Sequence, residues 1–263
     1  MPRWIDSATV SVVIPVKDDA VELQRCLAAL DVQTRRPDEI IVVDNGSSDA
    51  SPDVARTARA TVVRCDRPGI PAAAARGYDR ARGDVVLRLD ADCVPDAGWV
   101  EGVVAAFAAR PDVHVFTAGA RFSDGPPLLR VPLAAGYLVA YAAVSASALG
   151  HLPLFGSNLA FHRSAWQDVR AAVHRRDAAV HDDLDLAFHL GELHRIRLLP
   201  RAHMTMSMRP FSSLRGFASR IGRGFRTVVI HWPADFPPVR WVRLVLRRVL
   251  ARGGVPTRRA VRR

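Results

Sequence analysis

The chain is poor in lysine, cysteine and aromatic residues, and each shortage excludes something. Lysine occurs once, at Lys17, so all but one of the 37 basic residues are arginines. The three cysteines, Cys26, Cys65 and Cys93, are too few and too odd in number for a disulfide framework. No CxxC or Cys/His zinc spacing occurs either, so free thiols in a reducing compartment are expected. Aromatic residues make up 7%. With no stacking platform or groove-reading motif, nucleic acid is not an expected partner. The opening stretch MPRWIDSATVSVVIP has no charged region followed by a long apolar run, so no signal peptide is expected. Charge itself is missing between Arg130 and Arg163. There VPLAAGYLVAYAAVSASALG (131–150) has the length of a membrane span. Its apolar content is mostly alanine, diluted by serine and glycine and opened by Pro132, which points to a buried or interfacial helix instead.

What is present is ordinary in bulk and uneven in distribution. The 263 residues are 49% apolar and 24% charged, a globular composition long enough to bury a sizeable core. The formal charge is +11. Residues 1–194 carry 20 cations and 25 acids, net −5, whereas residues 195–263 carry 17 cations and a single acid, Asp235, net +16. This predicts a near-neutral domain over about 1–205, its halves about 9–95 and 96–205, followed by a basic helical extension over 206–263.

The first half alternates strand and helix. SVVIPV (11–16), EIIVVD (39–44), TVVRC (61–65) and DVVLRLDAD (84–92) read as strands. Leu23, Cys26, Leu27 and Leu30 share a helical face, Pro52 suits the first turn of a second helix, and Pro71 opens an alanine-rich third. A βαβαβαβ order implies an α/β fold with a mostly parallel sheet and ligands at the carboxyl ends of its strands. Further along, 96–110 reads as a helix with Trp99, Val103 and Phe107 on one face, and 113–119 and 158–162 as strands. Ser164 and Gln167 have capping-box spacing for a helix to about Val173, and 182–190 is helical by composition. RIRLLP and HMTMSM read as short strands, and two basic helices, about 213–230 and 239–252, flank WPADFPP.

The candidate chemistry begins with Asp90-Ala91-Asp92. Residues i and i+2 of an extended segment face the same way, so these carboxylates can converge at the sheet edge and hold Mg²⁺ or Mn²⁺ with a diphosphate. The alternative is a pair of solvated turn aspartates. Asp44, ending the second strand beside Pro15, can accept from a nucleobase N–H or cap its own turn. Arg76 can contact base or phosphate, or lie exposed on its helix.

Taken in order, SVVIPVKDD, EIIVVDNGSSD, the Arg76 segment, the strand-end DAD, FGSNLAFHRSAW and HDDLDLAFHL resemble family 2 glycosyltransferases over about residues 9–205. The resemblance implies the GT-A (Rossmann-like) fold and inverting transfer of a sugar from a nucleotide diphospho-sugar. Pro15, Val16 and Asp44 look like nucleoside contacts with Arg76 nearby. Asp90 would lie against ribose and metal, and Asp92 would bind Mg²⁺ or Mn²⁺. Asp182-Asp183 is similar to the family's acidic pair near the acceptor, with Asp183 aligning best with the general base; helix capping is the competing role. His203 would complete the metal sphere, or else pack as a strand histidine. Gly156, Ser157 and Asn158 resemble the segment beneath donor sugar and acceptor, or form a turn entering a strand.

The chain also departs from the family. Gly77 follows Arg76 where relatives usually carry Asn, and His189 stands where Arg often follows the base motif. The Gln-x-x-Arg-Trp of processive synthases is missing, so a single addition is favoured, in envelope, glycolipid or natural-product glycan synthesis. The implied partners are a UDP- or GDP-type sugar donor and an acceptor hydroxyl on a lipid-linked or polymer glycan.

In VRWVRLVLRRVLAR (239–252), Arg240, Arg243 and Arg247 share one helical face and Trp241, Val245 and Val249 another. Such a basic amphipathic helix predicts docking on an anionic membrane surface, at about 1 kcal/mol per arginine. The expectation is a cytoplasmic enzyme peripheral to the inner face of the cell membrane. Two rivals have different chemistry. A sugar-nucleotide pyrophosphorylase would need a Gly-rich, Arg-containing phosphate loop near the first strand, and SVVIPVKDD has none. A degenerate nucleotide-binding module docking through its tail would not need both acidic motifs.

Overall fold

In a computed structural model of the chain, residues 8–124, 126–199, 204–208 and 213–252 are described. The β-branched runs form β1 (Val10–Val16), β2 (Glu39–Asp44), β3 (Thr61–Arg64) and β4 (Val85–Arg88), with α1 (Ala20–Asp31), α2 (Ser51–Thr57) and α3 (Ile70–Arg80) as crossovers. A seven-stranded sheet takes the order β3-β2-β1-β4-β8-β6-β9, where β6 is Val115–Thr117, β8 Leu159–His162 and β9 Ile196–Leu198. Strands β3, β2, β1 and β4 are mutually parallel; β8 runs antiparallel to both β4 and β6, and β9 parallel to β6. The sheet is therefore mixed but mostly parallel. Val16 at the end of β1 is in register with Asp44 at the end of β2. The order reverses beside β1, and that reversal opens a crevice at the carboxyl ends of the strands.

Two apolar layers sandwich the sheet. One face buries Leu23, Cys26, Leu27 and Leu30 of α1 together with Trp99, Val103 and Phe107 of α4 (Trp99–Ala109). The other buries the alanines of α3 with Phe161, Trp166 of α6 (Arg163–Val169) and Leu184, Leu186 and Phe188 of α7 (Asp182–Leu193). Each fully buried side chain of this size contributes roughly 1.5–3 kcal/mol. A small second sheet, β5-β10-β7 (β5 Cys93–Pro95, β7 Arg121–Phe122, β10 Met204–Met206), closes one end. All three cysteines are free and buried.

Gly77 shows why α3 departs from the usual residue. A Cβ there would come within 2.9 Å of Val43 Cγ2 and closer still to Val13 Cγ1, so the helix lies too tightly on β1 and β2 for any side chain. At Gly69 the backbone is left-handed (φ 107°), and its N–H donates to Asn45 Oδ1. The Asn45 amide in turn donates to the carbonyls of Cys65 and Arg67, so one buried side chain stitches the loop after β3 to the end of β2.

Several sequence expectations need correction. β4 stops at Arg88, and Ala91 and Asp92 lie in a turn before β5, so the two aspartates are not successive same-face residues of one strand. Ser164 lies inside the first turn of α6; His162 is the N-cap, no side chain caps it, and the helix ends at Val169. Helix α5 (Pro127–Leu149), whose one charged residue is Arg130, is long and apolar enough to cross a membrane, and only 11% of its apolar stretch is buried. It is therefore not the buried helix that composition allowed.

The basic tail forms α8 (Leu214–Ile230) and α9 (Pro237–Arg252), with the arginine face of α9 turned inward. Arg240 is 1% exposed. Its Nε donates to the Leu149 carbonyl, NH2 to the Phe188 carbonyl and NH1 to Asp235, while Arg243 and Arg247 pair with Glu192. Among the described side chains of α9, those left exposed are apolar, with Val242, Leu246 and Leu250 besides Trp241, Val245 and Val249. α5 and α8 likewise expose Leu128, Val139, Val144, Ile221 and Phe225.

Two glycine substitutions should separate packing from propensity. Gly77→Ala is expected to destabilise by about 1–3 kcal/mol through overpacking. Gly102→Ala, mid-helix in α4 with nothing within 4 Å of its Cβ, should stabilise by roughly 0.5–1 kcal/mol. Urea unfolding midpoints read both.

Candidate active site

The site is organised around Arg88, the last residue of β4. It reads in sequence as the one polar residue of an apolar strand, and its side chain is only 3% exposed. A buried guanidinium is tolerated only with counter-charges close by. Arg88 NH2 donates to Asp90 Oδ1 at 2.9 Å, and NH1 lies 3.0 Å from Asp182 Oδ2. Burial opposes the charge on Arg88, but the Asp182 and Asp90 carboxylates outweigh it and hold the guanidinium more firmly protonated than usual. One cation thus joins the aspartate pair beyond β4 to the acidic start of α7.

Gly156 makes room for it. A Cβ at Gly156 would sit 2.8 Å from Arg88 Cζ and closer to NH1. The Gly156 N–H donates to Asp183 Oδ2 at 2.9 Å, and the Ser157 hydroxyl donates to Asp90 Oδ2 at 2.6 Å. Asn158 is a framework residue: buried, it accepts from Trp99 Nε1 and donates to the Gly119 carbonyl. The segment 156–158 therefore lies beneath the site, with two of its residues touching the acids and the third fixing the turn.

The two adjacent aspartates of α7 sit in opposite environments. Burial pushes the Asp182 carboxyl up, against the pull of Arg88. Asp183 is buried too, yet His181 and the Gly156 N–H hold it below the usual carboxylate range. Its Oδ1 is hydrogen-bonded to His181 Nδ1 and lies 3.3 Å from the Tyr141 hydroxyl. Burial works against the imidazolium of His181, but Asp183 reverses the balance and its pKa is raised. The His181 N–H donates to the Thr227 hydroxyl of α8, which anchors the pair from behind. Sequence reasoning missed Arg88, His181 and Tyr141. The adjacency of His181 to Asp182-Asp183 was the only local signal for any of them.

On the nucleotide side, Pro15 and Val16 end β1 and Asp44 ends β2, as expected from the sequence. Asp44 Oδ1 accepts from the Ser47 N–H, so this residue does shape its turn. Arg76 is exposed and lines a cleft of about 410 Å³ with Arg64, Arg67, Arg175 and Arg176, a wall of net positive charge in which Asp66 and Asp79 pair with Arg64 and Arg175. His203 lies outside the described residues.

The fit of a divalent cation rests on Asp90, Asp92 and Cys93, whose ligand atoms lie within 4.8 Å of one another. Burial, with Asp90 and Asp92 adding to it, pushes the Cys93 thiol well up. The two carboxylates supply hard oxygens, which suit Mg²⁺ or Mn²⁺.

Comparisons with known proteins bear on the family and the fold. Residues 11–162 match the model of Glycosyl transferase family 2. Glycosyltransferase AglE of Haloferax volcanii is 35% identical over 35% of this chain and 33% of its own. Undecaprenyl-phosphate 4-deoxy-4-formamido-L-arabinose transferase of Pseudomonas fluorescens is 40% identical over 32% of this chain and 27% of its own. The chain thus spans about a third or less of the length of these curated relatives. Among solved structures, glucosyl-3-phosphoglycerate synthase from Mycobacterium tuberculosis, in complex with Mn²⁺, UDP and phosphoglyceric acid, superposes with a TM-score of 0.63. That match is 18% identical and covers 96% of this chain and 81% of the other, which shows the fold.

Gly156→Ala is expected to cost about 1–3 kcal/mol, because the buried, doubly paired guanidinium cannot give way. Arg88→Met, which strips two carboxylates of their counter-charge, should cost about 3–5 kcal/mol. Chemical denaturation followed by circular dichroism measures both.

Proposed function

The chain belongs to glycosyl transferase family 2, and from that premise we propose that it adds a single sugar, taken from a UDP- or GDP-type donor, to an acceptor hydroxyl with inversion at the anomeric carbon. The observation that carries this reading is the Arg88 bridge, which puts a donor-side carboxylate, Asp90, and an acceptor-side carboxylate, Asp182, on one guanidinium. Pro15, Val16 and Asp44 receive the nucleoside, and Arg76 with its arginine neighbours faces the phosphates. Asp90 is already oriented by Arg88 and Ser157. With Asp92 it holds Mg²⁺ or Mn²⁺, which when bound supplies positive charge for the departing diphosphate.

In the transfer, a lone pair of the acceptor oxygen forms the new bond to the anomeric carbon. The bond from that carbon to the diphosphate oxygen breaks, and its electron pair leaves on the nucleoside diphosphate. The acceptor proton passes to the Asp183–His181 pair. Asp183 is 5% exposed and both its oxygens are engaged, so His181, with a 23% exposed side chain, is the reachable end of the pair. With Nδ1–H directed to Asp183, Nε2 is the basic nitrogen of the neutral ring. Asp183 thus acts as a base through the imidazole it orients and stabilises as imidazolium.

The acceptor is lipid-linked and met at the cytoplasmic face of the membrane. Support comes from the exposed apolar residues of α5, α8 and α9 rather than from the arginines of α9, which are spent on Asp235 and Glu192. The name of the Pseudomonas relative likewise specifies a lipid phosphate for that protein.

Asp92→Ala should abolish Mn²⁺-dependent release of nucleoside diphosphate from nucleotide sugars while the circular dichroism spectrum is kept; unchanged turnover would sink the assignment. Asp183→Asn and His181→Ala should each lower kcat by roughly 10²–10⁴-fold, and the double variant should lose little more, as expected of groups acting as a unit. Binding of nucleotide without turnover of any sugar donor would favour the degenerate module. In flotation with phosphatidylglycerol vesicles, Phe225→Asp and Leu246→Asp should each weaken association, whereas Arg247→Gln should not.

A further inference from the structure

A second group of ligating side chains gathers around Asp185 of α7 and includes none of the aspartates beyond β4. It consists of His174 in the segment before α7, Asp185 and His189 one turn apart on α7, and His231 at the C-terminal end of α8. One ligand atom from each lies within 4.8 Å of the others. Asp185 Oδ1 is the hub: His231 Nε2 is 3.4 Å from it, His189 Nε2 3.6 Å and His174 Nδ1 2.6 Å. A tetrahedral zinc with bonds of about 2.0–2.1 Å has ligand-to-ligand edges of about 3.3 Å. Two of the three distances already match, and the third is a hydrogen bond that metal would replace.

The orientation of His231 is more telling than the distances. Its Nδ1 is 2.7 Å from the Thr227 carbonyl, and a carbonyl can only accept, so the proton sits on Nδ1. In the neutral ring, Nε2 then presents a lone pair toward a carboxylate oxygen. Its side chain is 3% exposed and Nε2 makes no hydrogen bond; His189 Nε2 makes none either. A bare His231 nitrogen facing a buried carboxylate oxygen is repelled by it unless something electrophilic lies between them. The ring is further fixed by stacking on Phe188, at 4.0 Å between centroids and 14° between planes. A ligand imidazole whose other nitrogen donates to a backbone carbonyl is the usual outer arrangement of a protein metal site.

We propose that His174, Asp185, His189 and His231 form a structural Zn²⁺ site, separate from the Mg²⁺ or Mn²⁺ site of the reaction, that clamps α8 and the 170–181 segment onto α7. Three imidazoles and one carboxylate make a closed four-ligand set of borderline character, which selects Zn²⁺ over hard cations. The half-exposed His174 provides the way in. The clamp acts on the helix that begins with Asp182 and Asp183, so it steadies the acceptor side of the active site without touching substrate.

The full chain, stripped with chelator and desalted, is loaded with Zn²⁺ in the presence of excess Mg²⁺. The expected result is one zinc per chain retained through a second desalting, a higher melting temperature, and visible d–d bands of tetrahedral geometry when Co²⁺ replaces zinc. His174→Ala and His189→Gln, both at partly exposed positions, should each weaken zinc binding at least about tenfold, while Asp92→Ala should leave it unchanged. X-ray absorption of the zinc-loaded wild type should show imidazole scattering, a readout that needs no variant to fold. A chain that retains no zinc and gives no tetrahedral Co²⁺ spectrum overturns the proposal. So does zinc held equally by the His174→Ala/His189→Gln double variant, or ligation without imidazole. Zinc retention by a chain that turns over no sugar donor would leave this site standing and remove only the transferase mechanism.

Discussion

A buried positive charge in the middle of a sheet is the constraint on which the active site depends. Arg88 ends the fourth strand, flanked in the sheet by β1 and β8, where water cannot solvate it. Such a group is stable only if carboxylates come to it with good geometry, and a pair of this kind adds little over an apolar core of equal volume. Its consequence is placement. Asp90 must turn back toward β4, α7 must present Asp182 from the opposite side, and the chain at residue 156 must carry no side chain. The two halves of the site are therefore held in register by one buried side chain that pairs with both.

The same economy governs the aspartates of α7. Asp182 and Asp183 are neighbours in sequence, and at equal burial their charges would repel. They are driven apart in behaviour by different partners, Arg88 for the first and His181 with a backbone N–H for the second. Separating two like groups by environment keeps Asp183 firmly ionised beside His181, while Asp182, pushed up by burial, depends on Arg88 for its charge. The α8 helix contributes through Thr227, whose hydroxyl accepts from the His181 backbone. The C-terminal extension is thus part of the support of the acceptor side and not an appendage hung from it.

How much of this was legible in the sequence depends on range. Strands β1 to β3 and helices α1, α3, α4 and α7 follow from local signals of periodicity or composition, and the buried faces of α1 and α4 are those the spacing picks out, because each signal lies within a dozen residues. Asp44, Asp90, Asp92 and Asp182-Asp183 were visible as acids at element ends. Arg88 was not, because its meaning comes from Asp182, far away in the chain, and within VVLR it is only an interruption of an apolar run. The DAD was visible as a pair but not as a turn, since the sequence does not say that β4 stops at Arg88. The histidines around Asp185 escaped for the same reason: only Asp185 and His189 have helical spacing, and the other two arrive from separate elements.

The tail shows how charge counting misleads and what replaces it. A net of +16 over residues 195–263 describes composition, whereas a membrane senses only what is presented outward. Arg240, Arg243 and Arg247 share a face, as the spacing required, but so do the acceptors waiting for them: Asp235, Glu192 and the carbonyls that end α5 and line α7. Helix C-termini leave carbonyls without partners, and a guanidinium with five donors satisfies several at once. The extension's single acid, Asp235, is therefore as informative as its cations, for it marks the side of α9 that faces the domain. Once that side is assigned, the remaining faces of α9 must be the exposed ones. The described side chains on those faces are apolar, so any surface that covers them gains more from burying hydrocarbon than from pairing with Arg240, Arg243 and Arg247.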